Sequence, residues 1–434
     1  MTASPVGFHY AGGRLRCDGV DVDEIAAAAG TPAYVYSAGS FRARYRRIRD
    51  AFAAHDPVVC YSVKANANLA VLRVLRDEGA GFDIVSGGEL FRTAKAGIDP
   101  ARVVFAGVGK SDDEIRDALR AGILFFDVES EAELAAIDAV AAAEGRRAPV
   151  ALRVNPDVDP HTHRYISTGK RESKFGVDLA RARRIVESLD ATPHVDLLGV
   201  HIHIGSQIVS LEPYESAVSR AADFVGTCRE LGHDPKWLNI GGGYGIDYGD
   251  GRTPQRVEDI ATAIGPHVER AGTRLVLEPG RFISAPSGLL LTRVRFVKES
   301  GDRRFVIVDA AMTDLIRPSL YEAYHRVWPA RSDLEPDGLE PDGLEPDGLE
   351  PDGTVKSDVV GPVCESADFF AKDRALPPVE AGDLLGIFDA GAYGFVMTSH
   401  YNARPRPPEV LVEADTFRVV RKRESYEDLI RGET

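Results

Sequence analysis

From about residue 57 to residue 280 the chain alternates short apolar, β-rich runs with polar or amphipathic stretches that read as helix. Eight such runs follow one another: VVCYSV (Val58–Val63), GFDIVS (Gly81–Ser86), RVVFAG (Arg102–Gly107), GILFFDV (Gly122–Val128), VALRVNP (Val150–Pro156), LLGVHIHIG (Leu197–Gly205), WLNIGGG (Trp237–Gly243) and RLVLEPG (Arg274–Gly280). In the stretches between them, Ser111 with Glu114 and Ser130 with Glu133 have the spacing of capping boxes, each opening a helix. Strand–helix units repeated eight times over roughly 220 residues fit a closed (β/α)8 TIM barrel better than an open doubly wound sheet. The predicted barrel runs over residues 33–282.

After Gly280 the pattern changes. FISAPSGLLLTRVRFVKES, RFVIVDAAM, GDLLGIFDAG and PEVLVEADTFRVV alternate apolar and polar positions with few helical stretches, which predicts a mostly antiparallel β domain over residues 283–434. The first 32 residues, with a helix expected in DVDEIAAAAG, are expected to pack on that domain. Within it, residues 334–353 are LEPDG four times over. Pro-Asp-Gly at every fifth position is turn chemistry with one apolar residue per repeat, so this segment is expected to be a mobile acidic loop.

Composition changes the picture in a few places. The 434-residue chain carries 67 acidic and 52 basic residues, for a net charge of -15. Each LEPDG copy has one Glu, one Asp and no base, so the repeat accounts for eight of those negative charges. Nucleic acid is not an expected partner, because phosphate contacts need clustered positive charge. Hydrophobic residues at 44% describe an ordinary globular protein. The four cysteines, Cys17, Cys60, Cys228 and Cys364, are scattered without CxxC spacing, which suits a reducing cytoplasm rather than a disulfide framework. No signal-peptide h-region and no apolar run near 18 residues is found, so no membrane span is expected.

In a barrel of this kind chemistry sits at the C-terminal strand ends. The first strand ends at Lys64. A lysine leaving an apolar strand is partly desolvated, which favours the nucleophilic amine; it is also a position where a lysine snorkels at a barrel rim. Most other lysines, such as Lys95, Lys110 and Lys422, read as polar-loop or helix-face residues. The second strand offers Asp83, and the fifth Arg153 and Asn155. The sixth carries His201 and His203, which in a strand point the same way. That pattern serves a metal pair, an imidazole stacked on a flat cofactor, or two interior histidines. No further cluster in the sequence completes a metal ligand set, and the other HxH, His161 with His163, lies in a polar loop. The seventh strand ends in Gly241, Gly242 and Gly243, and the eighth in Glu278–Arg281. Consecutive glycines let backbone N–H groups approach an anion, and these two loops are the usual phosphate site of such barrels, although tight turns use glycines too. A lysine, a flat-ring partner, an acid and a phosphate cradle at one barrel mouth suggest pyridoxal 5'-phosphate (PLP). Glu278 would keep the pyridinium nitrogen protonated and the ring a strong electron sink, which favours decarboxylation over racemisation.

These residues lie in motifs that resemble those of the meso-diaminopimelate decarboxylases, PLP enzymes of the alanine-racemase-like fold (fold type III). The likeness runs from about Thr31 to Val412. It is carried by YSVKANAN, DIVSGGEL, RVNPDVDPHTHRYISTGKRESKFG, HIHIGSQI, NIGGGYGIDY, EPGRFI, DLIRPSLYEAYH, GPVCESADFF and DAGAYGFVMTSHYN. The LEPDG insert is the one departure. The resemblance implies a homodimer with shared active sites. In it Lys64 is the Schiff-base lysine, His203 stacks on the PLP ring and Asp83 lies near the lysine. Ser206, Gly242, Gly243, Gly280, Arg281 and Tyr393 hold the phosphate, and Glu278 pairs with the ring nitrogen. Arg281, Arg317, Tyr321 and Tyr393 bind substrate, and Cys364 and Glu365 come from the partner subunit.

The implied reaction removes the D-centre carboxylate of meso-2,6-diaminopimelate as carbon dioxide and leaves L-lysine, the last step of lysine biosynthesis. Cys364 or Lys64 is the candidate proton donor to the α-carbon. The distal end of this substrate is itself an amino acid. Its carboxylate calls for arginine and its ammonium for an acid such as Glu365. The alternatives are decarboxylation of a related or carrier-bound amino acid, an amino-acid racemase, a PLP-holding protein without turnover, and a metal-dependent barrel hydrolase.

Overall fold

The computed structural model describes residues 6–158, 174–334 and 353–434. The chain divides into two compact units. One comprises Arg44–Gly245 with Pro254–Phe282; the other comprises Met1–Ala43, Ile246–Thr253 and Ile283–Thr434.

The first unit is the barrel. Its strands are β1 (Val58–Ser62), β2 (Gly81–Ile84), β3 (Val103–Phe105), β4 (Phe125–Val128), β5 (Ala148–Asn155), β6 (Val195–His201), β7 (Trp237–Asn239) and β8 (Arg274–Leu277). All neighbours are parallel, and β8 pairs with β1, which closes the ring. Every residue of β1, β2, β3 and β4 is buried, as expected of strands covered on both faces. Val58, Cys60, Val104, Phe125, Ala151 and Val276 form one buried apolar cluster, so the barrel is a filled core rather than a pore.

The helices begin where the sequence offers caps. Ser111 Oγ accepts from Glu114 N–H and the Glu114 carboxylate returns a bond to Ser111 N–H, a complete capping box. Ser130 forms only half of one. It accepts from Glu133 N–H, but Glu133 Oε2 takes the N–H of Glu129 (2.8 Å) and Oε1 pairs with Lys110 (2.6 Å). Lys110 therefore differs from its expected loop setting. Its side chain is 1% exposed, and its ammonium also donates to the carbonyls of Gly107 and Asp127. Full-length helices follow β1 to β7, whereas β8 is followed by the four-residue turn Arg281–Ser284.

The second unit is built on strand Gly288–Ser300, long enough to pair with three others. It runs antiparallel to Arg303–Val308, Leu384–Ile387 and Ala33–Ser37. Ala33–Ser37 in turn lies parallel to Glu409–Glu413, and Arg303–Val308 parallel to Val355–Val360; the remaining pairs are antiparallel. This corrects the expected start of the barrel at residue 33. Ala33–Ser37 is wholly buried, and its backbone partners are β-unit strands far along the chain. The N-terminal segment forms a small antiparallel sheet, Phe8–Ala11, Arg14–Cys17 and Val20–Asp21, tied by Leu15 N–H to Ala330 O (2.8 Å). The helix expected in DVDEIAAAAG spans Val22–Ala29, with Asp21 as its cap. Apart from its two end residues, the LEPDG repeat lies outside the described residues, as does the His161–His163 loop.

Candidate active site

On the barrel unit the chain turns sharply after β1, and Lys64 sits in that turn, Val63–Ala65. Its Nζ lies 2.7 Å from Asp83 Oδ2, on β2, whose side chain is fully buried while that of Lys64 is 37% exposed. Strand register explains the meeting: Ser62 and Asp83 are direct partners across β1 and β2. Ser62 Oγ lies 2.8 Å from Asp83 Oδ2 and 3.0 Å from the carbonyl of Glu278, tying the ends of β2 and β8 to the lysine turn. The pair places an accessible amine beside a buried carboxylate.

Glu278 leaves the end of β8 and is buried. Asn239, the last residue of β7, donates Nδ2–H to Glu278 Oε1 at 2.6 Å and accepts Gly241 N–H at 3.0 Å. Burial, and then the nearby Asp83 charge, raise the Glu278 carboxyl to about 7. Beside it lie His201, with Nε2 3.7 Å from Glu278 Oε2, and Asp127, with Oδ1 3.2 Å from His201 Nδ1. Burial, then the charge of Arg153, push the His201 imidazole well below its usual pKa; burial, then Glu278, push Asp127 well above. Asp127, His201 and Glu278 offer ligand atoms within 4.8 Å of one another. The sequence alone revealed nothing to complete a ligand set around His201. Its companions come from β4 and β8, brought together only by barrel closure.

His201 and His203 do not share a strand. β6 ends at His201, and the chain leaves the ladder, so the alternation rule no longer relates the two side chains. His203 Nδ1 accepts Gly242 N–H at 3.2 Å, which fixes an imidazole without a proton on that nitrogen, and burial keeps it neutral. Gly242 and Gly243 are required by close approach. A Cβ on Gly242 would stand 2.2 Å from the Glu278 carbonyl oxygen, and one on Gly243, whose φ is +97°, would stand 2.5 Å from Gly205 O. Arg281 donates Nη2–H to Ser206 Oγ at 3.1 Å, and Gly280 is buried in the turn before it. The buried hydroxyl of Tyr214 also approaches Gly243 and has no hydrogen-bond partner among the described residues.

The other candidates lie on the β unit. Arg317 opens the short helix Arg317–Tyr321 and is buried; Tyr321 closes it, half-buried. Cys364 and Glu365 are exposed. Cys364 N–H donates to Asn402 Oδ1 at 3.2 Å, and Tyr401 hydroxyl to Glu365 Oε2 at 3.4 Å. Tyr393 has φ +55° in the turn DAGAYG, where Asp389 also has φ +56°. Two non-glycine residues held left-handed in one turn are costly, and such geometry concentrates at binding sites.

Residues 38–285 match the family model of the pyridoxal binding domain of pyridoxal-dependent decarboxylases. The chain is 46% identical to the diaminopimelate decarboxylase of Pseudomonas aeruginosa, over 98% of both chains. It is 43% identical to that of Aquifex aeolicus, over 98% of this chain and 96% of the relative. Among solved structures, the diaminopimelate decarboxylase of M. jannaschii in complex with L-lysine aligns with a TM-score of 0.90 at 36% identity, covering 100% of this chain and 99% of that one. The chain belongs to the diaminopimelate decarboxylases.

As in the other diaminopimelate decarboxylases the cofactor is PLP, and the barrel side chains fit it. An accessible lysine amine, a buried carboxyl for a ring nitrogen, a neutral imidazole, and a glycine cradle beside Ser206, Arg281 and the orphaned Tyr214 hydroxyl match amine, ring and phosphate chemistry in turn. Sequence reasoning missed Asn239, Asp127 and Glu129. Glu129 binds Arg153 at 2.8 Å with both side chains nearly inaccessible. The available signal was a polar residue at the end of an apolar run, as in FFDVE and WLN.

Proposed function

We propose that this chain decarboxylates meso-2,6-diaminopimelate at its D-centre, giving L-lysine and carbon dioxide, as a cytoplasmic homodimer whose partner subunits share active sites. The observation that carries this reading is the full-length relation to diaminopimelate decarboxylases at 43–46% identity. Among the described residues no helix is long and apolar enough to cross a membrane.

In the reaction the bond between the α-carbon and its carboxylate breaks, carbon dioxide leaves, and a proton is added to the same carbon. Bound PLP supplies the electron sink that makes this departure possible. Lys64, whose Nζ pairs with Asp83, would be the amine that anchors the cofactor. Glu278 would pair with the ring nitrogen. Its raised pKa matches it to proton sharing near neutral pH, while the Asn239 bond fixes its orientation. His203, a neutral imidazole, would supply a flat face for the ring. Ser206, Gly242, Gly243, Gly280, Arg281 and Tyr393 hold the phosphate. Arg317, Tyr321 and, beside the phosphate, Arg281 and Tyr393 recognise substrate carboxylate, and Glu365 of the second subunit recognises the distal ammonium. Cys364 of that subunit or Lys64 delivers the proton.

The test is direct. Purified protein with PLP and meso-diaminopimelate is expected to release carbon dioxide and L-lysine in equal amounts, with ornithine and arginine left untouched. Turnover of either diamine precursor without turnover of diaminopimelate would overturn the reading.

A further inference from the structure

We infer that His325 and Tyr248 are positioning residues for substrate recognition, holding the Arg317 guanidinium where it meets the substrate's distal carboxylate. The inference rests on the reading of Arg317 as a carboxylate-binding group.

Arg317 Nη1 donates to the Tyr248 hydroxyl at 3.0 Å and lies 3.1 Å from His325 Nε2. The far side of the same imidazole, Nδ1, is 2.8 Å from the carbonyl oxygen of Phe388. The chemistry of these partners sets the tautomer. A carbonyl oxygen only accepts, so Nδ1 carries the hydrogen. A guanidinium only donates, so Nε2 presents its lone pair. His325 is therefore a neutral imidazole with a directed donor on one side and a directed acceptor on the other. An imidazolium would set N–H against N–H and charge against charge.

The imidazole is itself fixed. His325 is fully buried, and the Tyr248 ring meets it edge-on at 5.6 Å and 74°. Its carbonyl accepts from Arg374 at 2.9 Å, and the next carbonyl, of Arg326, accepts Phe388 N–H at 2.9 Å. Phe388 directly follows strand Leu384–Ile387 and precedes the turn that carries Tyr393. His325 thus joins the start of the Arg317 helix to the strand end that leads into a second proposed substrate contact. Arginine recognises a carboxylate with two parallel N–H bonds, which demands a set guanidinium plane. Two neutral acceptors on one nitrogen set it without cancelling its charge.

The two side-chain nitrogens can be separated by substitution. His325→Gln keeps an acceptor near the Nε2 position and gives up the bond to Phe388; His325→Asn keeps a donor near Nδ1 and gives up the bond to Arg317. Tyr248→Phe removes one hydroxyl. For each holoenzyme, KM and kcat are measured with meso-diaminopimelate, and inhibition constants with L-lysine and with cadaverine, which is the same diamine without the carboxylate. Arg317→Lys is the reference. Wild type is expected to prefer lysine. His325→Asn is expected to lose that preference on the order of tenfold, the effect of one buried bond to a charged group, with KM rising in step and kcat within about twofold. Tyr248→Phe is expected to lose part of it and His325→Gln to retain most of it.

If Arg317→Lys keeps the preference, the reading of Arg317 fails. If Arg317→Lys loses it while His325→Asn and Tyr248→Phe keep it, Arg317 stands and the positioning role is overturned. Equal losses in His325→Gln and His325→Asn would also overturn it, because they would reflect general loosening rather than a lost acceptor. Should His325→Asn fail to fold, Tyr248→Phe decides alone.

Discussion

Asn239 gives the sharpest energetic test of the barrel mouth. It has no exposed surface, donates to Glu278 Oε1 at 2.6 Å and accepts Gly241 N–H at 3.0 Å. Asn239→Ala removes a bond to a buried carboxyl, about 1.5–3 kcal/mol, and leaves a buried N–H without its partner, about 1–3 kcal/mol. A loss of roughly 3–5 kcal/mol is expected in the apoprotein. Asn239→Asp keeps the shape and the acceptor for Gly241, but sets a second carboxyl at the same close distance from Glu278. Two unit charges at 2.6 Å repel by roughly 6 kcal/mol at an effective dielectric near 20, so the pair retains a proton instead.

The sign of the pH dependence follows. The native Asp variant binds a proton that its unfolded chain has released above about pH 5, so its stability falls as pH rises. Glu278 of the parent, near 7, itself releases its proton across this range, so the slope relative to the parent is expected to grow from near zero at about pH 6 towards 1.4 kcal/mol per pH unit at about pH 8. The chain has two tryptophans, and in a Trp328→Phe background the emission of Trp237, on β7, reports the barrel alone. Urea unfolding of apoprotein followed at that signal measures both variants. An Ala variant within about 1 kcal/mol of its parent, or an Asp variant with the parent's pH slope, would refute the proposed Asn239–Glu278 contact.

Other outcomes are equally open to measurement. Borohydride treatment of the yellow holoenzyme is expected to fix the cofactor to the Lys64 peptide; label on any other lysine sinks the assignment. Gly242→Ala places a Cβ 2.2 Å from the Glu278 carbonyl oxygen, an overlap of about an ångström with backbone, and is expected to weaken PLP binding at least tenfold in a fluorescence titration. Replacing residues 334–353 with a short Gly/Ser linker is expected to leave turnover and Tm nearly unchanged; a large loss would give the repeat a role in the site or the dimer. Lys64→Ala and Glu365→Ala, refolded together, are expected to recover about a quarter of wild-type activity, since half the dimers are mixed and each mixed dimer has one intact site. No recovery with mixed dimers confirmed by mass would exclude the shared site.

The eight barrel strands were legible because apolar runs of strand length, spaced by amphipathic stretches, leave little alternative to a closed parallel sheet. The strand-end positions of Lys64, Asp83 and Glu278 were legible for a related reason: a polar residue there stands out against an apolar run, and strand ends are where a barrel keeps its chemistry. Other features carried no local mark. The β-unit strand Ala33–Ser37 finds partners more than two hundred residues away, at Gly288–Ser300 and Glu409–Glu413, so nothing near it in the chain separates it from a barrel strand. His201 and His203 are two apart in the chain, but where β6 ends is set by hydrogen bonds to neighbouring strands rather than by the residues themselves.

Local pattern settles the kind of element and which of its faces is buried, because periodicity and capping act over a few residues. Pairing between distant segments settles which polar groups meet. Asp127, His201 and Asn239 come from three strands and Glu278 from the end of a fourth, and His325 reaches Arg317, Tyr248 and Phe388 from three separate stretches of chain. Their protonation and geometry arise from burial beside one another, a property that no single segment possesses before the fold closes.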